Sequence, residues 1–123
     1  MPSITMLLHQ LDVPEKDFFA RCNAAFKLGV LFAGWNQWED GSTRDFFHPF
    51  TAPRYVNGVN PGYHFREHAS GGRTDFCDST LPVLSVAGRN LGPRKLGGGD
   101  YERDLRYAYH LDAGKLAGFL REI

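Results

Sequence analysis

Between Trp35 and Phe76, helix-breaking residues recur so closely that no long helix can run through the stretch. Gly41, Pro49, Pro53, Asn57-Gly58, Asn60-Pro61-Gly62 and Gly71-Gly72 leave room only for short extended pieces and turns. The same stretch holds nine of the seventeen aromatic residues: Trp35, Trp38, Phe46, Phe47, Phe50, Tyr55, Tyr63, Phe65 and Phe76. Its first part reads as a β-hairpin. Val30–Trp38 is one strand, Asp40-Gly41 the turn signal and Thr43–His48 the returning strand. Residues 49–62 read as a loop. Tyr63–Ala69 fits a strand that pairs, across Ser70–Arg73, with Thr74–Cys77. It also fits a helix with Asn60 as cap and Pro61 in the first turn. The surrounding hairpin pattern favours the strand.

Around this centre the sequence predicts strands at 3–11, 81–87 and 105–111. In the first, Ile4, Met6 and Leu8 alternate with Leu7 and Leu11. A helix is predicted over 13–28. Asp12 is its cap, Glu15 the acidic residue of its first turn, Phe18, Phe19, Cys22, Ala25 and Phe26 its apolar face, and Gly29 its stop. Asp112 is expected to cap a second helix over 112–122, with Leu116, Phe119, Leu120 and Ile123 as its stripe. The glycine-rich segment from Gly88 to Asp100 reads as a flexible loop. The pattern as a whole is α+β: a largely antiparallel sheet with the 13–28 and 112–122 helices packed on one face, in one domain over 1–123.

Composition narrows the function classes. Fourteen basic and fourteen acidic residues give a formal net charge of zero. That excludes a strongly acidic nucleic-acid mimic and makes nucleic acid a poor main target. Cys22 and Cys77 match neither a metal-ligand spacing nor a secreted disulfide framework. The first residues carry no basic segment followed by an apolar run, and no apolar run nears the ~18 residues of a membrane span. The expected setting is cytoplasmic, with no membrane partner.

Several residues could carry chemistry. His64 and His68 could share a metal if helical, but on a strand they lie about 13 Å apart. No third ligand is marked, so no metal is expected. On the strand, His64, Arg66 and His68 form one polar stripe that could cleave a phosphodiester by acid–base and anion-stabilising action. Gly88–Gly99 matches neither the P-loop nor the dinucleotide fingerprint, and no cofactor is expected. Neither cysteine nor any serine sits in a nucleophile motif.

With no catalytic motif, the leading reading is a small non-enzymatic binding protein of the inhibitor or immunity type known from phages, plasmids and bacteria. It would occlude a surface on a macromolecular protein partner. Trp38 and Arg66 are its expected anchors on the aromatic centre, and Arg94 and Lys95 on the basic loop. The competing reading is a metal-independent enzyme acting on a phosphate-containing substrate through His64, Arg66 and His68.

Overall fold

The computed structural model describes residues 3–68 and 76–123. The element order is α1 (Ser3–Gln10), α2 (Glu15–Cys22), β1 (Ala25–Lys27), β2 (Gly29–Gln37), β3 (Thr43–Pro49), α3 (Pro61–His68), α4 (Phe76–Thr80), α5 (Val83–Gly88), β4 (Ala108–His110) and α6 (Ala113–Arg121). The α+β class holds, and strand pairing is antiparallel throughout the described residues. The single sheet of the sequence reading is instead two separate pairs, β1 with β4 and β2 with β3.

The first expected strand is the helix α1. Its Ile4, Met6 and Leu8 do alternate, but a short apolar run satisfies either period. The helix turns Thr5 and Leu8 into the interior and leaves Met6 and Leu7 exposed. Asp12 belongs to the end of this helix, not to the start of the next. It takes a left-handed φ of 53°, and the Val13 N–H reaches back to the Leu8 carbonyl at 3.0 Å, the geometry that closes a helix C-terminus. α2 then starts at Glu15 with Pro14 in the cap position and no side-chain cap bond.

The expected helix over 13–28 is correct only for its middle. Asn23 adopts φ 48°, ψ 44° and donates its N–H to Phe19 O, ending α2 after two turns. Asparagine tolerates that conformation better than other side-chain-bearing residues. Phe26, which continues the helical spacing in sequence, lies on β1. Its ring meets Phe19 at 4.7 Å and Tyr107 at 4.9 Å.

The β2–β3 hairpin forms as read. Asp40 Oδ1 accepts from Ser42 N at 2.8 Å and Ser42 Oγ at 2.6 Å. Gly41 supplies φ 79°. The register runs Gly29↔Pro49 to Phe32↔Phe46, then slips before Asn36↔Arg44. The slip is a bulge at Gly34, whose N–H donates to Asp45 Oδ1 at 2.9 Å.

Three further expected strands are helical over most of their described residues. Tyr63–His68 lies in α3, where Asn60 Oδ1 accepts from Gly62 N at 2.8 Å and Pro61 opens the first turn. Phe76 and Cys77 open α4. The turn read over 70–73 lies outside the described residues. Leu81–Ala87 is mostly α5, entered through Pro82. Proline at 82 removes a ladder donor and suits a helix start.

The C-terminal helix and its cap form as read, but the strand expected over 105–111 shortens to Ala108–His110, and Leu120 and Ile123 of the expected stripe are exposed. Asp112 Oδ1 accepts from Lys115 N at 3.0 Å and caps α6. α6 packs on α2, with Phe119 buried between them and Phe18. The interior is an aromatic cluster of Phe18, Phe19, Phe26, Tyr107 and Tyr109, with Leu8, Val13, Leu28, Leu81, Val83 and Leu105 around it. Most of these rings meet edge to face, with centroids 4.7–6.1 Å apart. Each such contact adds roughly 0.5–1.5 kcal/mol to area burial.

Candidate functional site

β1 and the start of β2 run along one wall of a cavity of about 370 Å³. Phe26, Lys27, Leu28 and Gly29 come from this wall, Phe47 from β3, His110 from β4, and Leu91 and Gly92 from the segment after α5. Gly29 has no alternative here. A Cβ on it would stand 2.5 Å from both the Phe47 ring and the His48 carbonyl. The missing side chain is what lets the Phe47 ring lie against the strand. Gly92 has a looser version of the same role, with the Phe26 ring 3.5 Å from where its Cβ would be.

Lys27 is the chemically notable lining residue. It is half-buried. The four ion pairs among the described residues engage Arg21, Arg94 and Lys95, and none involves Lys27. Among the described residues its amine has no hydrogen-bond partner either. A lysine withdrawn from water normally finds a carboxylate. This one is left with its donors available to whatever enters an aromatic-walled cavity.

A second polar constellation lies deeper and is fully committed. Glu15 is 1% exposed. Its Oε1 accepts from Tyr107 OH and Tyr109 OH, each at 2.6 Å. Its Oε2 accepts from the Arg94 guanidinium, which also donates to the Gly98 and Gly99 carbonyls. Burial, and then the bond to Glu15, pushes the Tyr107 and Tyr109 hydroxyls well above the ordinary phenol range. Tyr101, which donates to the Val13 carbonyl, is pushed up to about 12, first by burial and then by the Glu15 charge. Every acceptor here is satisfied, so the cluster ties α2, β4 and the glycine-rich segment together. It is not a reactive centre.

The residues singled out in the sequence do not converge. Trp38, just beyond β2, is exposed, with the Arg44 guanidinium 4.7 Å over its ring. Arg66 is exposed on α3 and lines a shallow cleft with Asn60 and Tyr63. Arg94 is held by Glu15. Lys95 is exposed, 3.5 Å from Asp104. His64 and His68 do face each other across one helical turn, with ring centroids 6.5 Å apart and the His68 Nδ1–H donating to the His64 carbonyl at 2.9 Å. Arg66, two residues from each, points about 200° around the helix. The stripe required for phosphodiester chemistry does not exist. Among the described residues no group of three or more His, Cys, Asp or Glu could hold a metal.

Lys27 and Glu15 were missed for different reasons. The helix expected over 13–28 has Phe18, Phe19, Cys22, Ala25 and Phe26 as its apolar face and gives Lys27 no role. The sequence signal for a strand there was the Ala25-Phe26-Lys27-Leu28 alternation next to Gly29. Glu15 matched a capping residue, and nothing local announces a partner 79 residues away.

The described residues thus offer one cavity with a half-buried lysine and one buried, internally satisfied carboxylate cluster. The family model described as tryptophan halogenase matches residues 1–123. A tryptophan 6-halogenase from Streptomyces albogriseolus is 29% identical over 123 residues, covering 90% of this chain and 23% of that protein. The crystal structure of a tryptophan halogenase from Shewanella frigidimarina superposes with a TM-score of 0.83 at 25% identity, over 99% of this chain and 23% of that one. A flavin-dependent halogenase from Xanthomonas campestris gives 0.77 at 31% identity, again over 99% and 23%. The chain belongs to the tryptophan halogenase family, and it spans about a quarter of the length of these relatives.

This membership overturns the reading as a non-enzymatic, phage-like inhibitor with a macromolecular protein partner, and with it the phosphate-directed alternative. The aromatics and arginines of the Trp35–Phe76 stretch suit a recognition surface and the wall of an enzyme equally well. Composition alone does not separate the two. No helix among the described residues is long and apolar enough to cross a membrane.

Proposed function

We propose that this chain is one part of a flavin-dependent halogenase acting on tryptophan or a similar indole, and that the Lys27 cavity borders the reacting space. The observation that carries this reading is the half-buried, unpaired Lys27 amine in an aromatic-walled cavity, on a chain of this family. Halogenation replaces an aromatic C–H with a carbon–halogen bond. It needs a halide or an oxidised halogen held beside a flat apolar ring. An ammonium group can hold a halide ion, or donate a hydrogen bond to the oxygen of an oxidised halogen, and it does so more strongly where water is scarce.

The described residues do not fit a flavin. They form only antiparallel pairs, with no parallel βαβ turn to present a phosphate cradle. The glycine-rich segment has spent its groups internally. Gly99 N donates to Glu102 Oε2 at 2.9 Å, Gly98 N to the Lys95 carbonyl at 3.2 Å, and both their carbonyls face Arg94. On this reading the flavin is held by parts of the fold other than the described residues, and no step is assigned to it here. Large apolar side chains left open on α1 (Met6, Leu7), on the hairpin (Leu31, Trp35) and after α6 (Ile123) suit one unit of a larger fold. Cys22 and Cys77 form no disulfide, which suits a reducing, cytoplasmic setting.

The test is a chimera. Residues 1–123 replace the matching segment of the Streptomyces albogriseolus tryptophan 6-halogenase, and chlorotryptophan is measured by mass spectrometry. The chimera should be active. Lys27→Met should lower turnover by about 100-fold or more while flavin binding and melting temperature stay unchanged. Lys27→Arg should retain part of the activity. A well-folded, flavin-bound Lys27→Met chimera within threefold of its parent would remove Lys27 from the site.

A further inference from the structure

We propose that a second, larger cavity binds a small apolar molecule carrying a carboxylate. This cavity holds about 580 Å³ and shares no lining residue with the Lys27 cavity. Its size falls in the range of small-molecule sites, roughly 300–1,000 Å³. The buried Leu81 and Leu105 form its apolar floor, and Val56 and Arg54 stand at its rim.

An inventory of its polar groups points to the ligand. Thr51 Oγ1 accepts from Arg106 N at 2.8 Å and turns its own proton to the Arg106 carbonyl. Thr80 Oγ1 donates to the Phe76 carbonyl at 2.7 Å. Ser79 also lines the cavity and is engaged, and Asp104 pairs with Lys95 at 3.5 Å, both side chains exposed. Arg54 has no carboxylate or carbonyl partner among the described residues. Among the described residues the lining charge without an ion-pair partner is positive, and it belongs to a planar fork that matches a carboxylate with two parallel hydrogen bonds. The floor rewards an apolar body by removing it from water. A neutral analogue would lose the charged pair, and a cationic one would meet Arg54 with like charge. The inference does not depend on the halogenase reading, since it rests on different residues and needs no turnover.

The test is an NMR titration of the protein with three probes that share one aromatic body: indole-3-acetate, indole and tryptamine. Indole-3-acetate should bind tightest and shift the amides of Thr51, Thr80 and Leu105. Arg54→Gln should weaken it about tenfold or more, the worth of a charge-assisted hydrogen bond. Val56→Trp, at an exposed position, should fill the cavity and abolish the shifts. Any of four results overturns the proposal: no saturable shifts at these amides, shifts centred on Lys27 and Gly92 instead, tryptamine binding as tightly as indole-3-acetate, or Arg54→Gln binding within twofold of the parent.

Discussion

Removing the Glu15 carboxylate should be among the most damaging single changes this chain can suffer. Glu15→Ala takes the buried carboxylate from the Arg94 guanidinium, whose side chain is 19% exposed and which keeps the Gly98 and Gly99 carbonyls and Asp100 at 3.9 Å, and leaves two buried tyrosine hydroxyls without their acceptor. Breaking one partner of a buried ion pair costs about 3–5 kcal/mol. A domain is stable by about 5–15 kcal/mol in total, so a third or more of the margin is at stake. With a urea slope of about 2 kcal/mol/M, the unfolding midpoint should fall by roughly 1.5–2.5 M. Glu15→Gln keeps the shape and one carbonyl acceptor but turns an amide toward Arg94. It should cost about 1.5–3 kcal/mol, the worth of the charge-assisted bonds. Glu122→Ala is the control. It removes an ion pair with Arg21 that is 45% and 64% exposed, and should move the midpoint by no more than about 0.5 M. In the cycle Glu15→Gln, Arg94→Gln and the double variant, a coupling of about 1–3 kcal/mol is expected. Additivity within about 0.3 kcal/mol, or a Glu15→Ala midpoint shift no larger than that of Glu122→Ala, would refute the claim that this network anchors the glycine-rich segment.

Helix capping separates the two aspartates that look alike in sequence. Asp112→Ala should cost about 1 kcal/mol through its lost bond to Lys115 N. Asp12→Asn should stay within about 0.5 kcal/mol, since Asp12 makes no cap bond and asparagine accepts its φ of 53°; equal effects in urea melts would contradict the assignment. Alkaline pH should destabilise the fold. Tyr101, raised to about 12, and Tyr107 and Tyr109, raised further, hold their protons more tightly when folded than the ~10 of an unfolded tyrosine. Their contribution is therefore complete below about pH 10 and lost as the pH climbs toward and beyond 12. Urea midpoints at pH 8 and 11 together with absorbance titration of tyrosinate test this. Titration of all five tyrosines near pH 10 with the fold intact would contradict it.

What the sequence determined by itself is local. The hairpin over Gly29–Pro49 follows from Asp40-Gly41 between two alternating runs, because the turn chemistry and the pairing lie within twenty residues of each other. The cap of α6 follows from Asp112, whose acceptor and donor are three residues apart. Helical character over Glu15–Cys22 follows from Phe18 and Cys22 on one face. Tertiary structure decided the rest. The apolar run from Ile4 to Leu8 satisfies two periods, and burial of Leu8 against the core selects the helix. Asn23 ends α2 in a left-handed turn, and Phe26 meets Phe19 and Tyr107 from a strand. Lys27 acquires its meaning only when Phe47, His110 and Gly92 arrive around it from three distant segments. Arg94 looks like a free charge on a mobile loop until Glu15, 79 residues away, holds it. Sequence periodicity records which face of an element is apolar. It does not record what that face meets, and the site is made of such meetings.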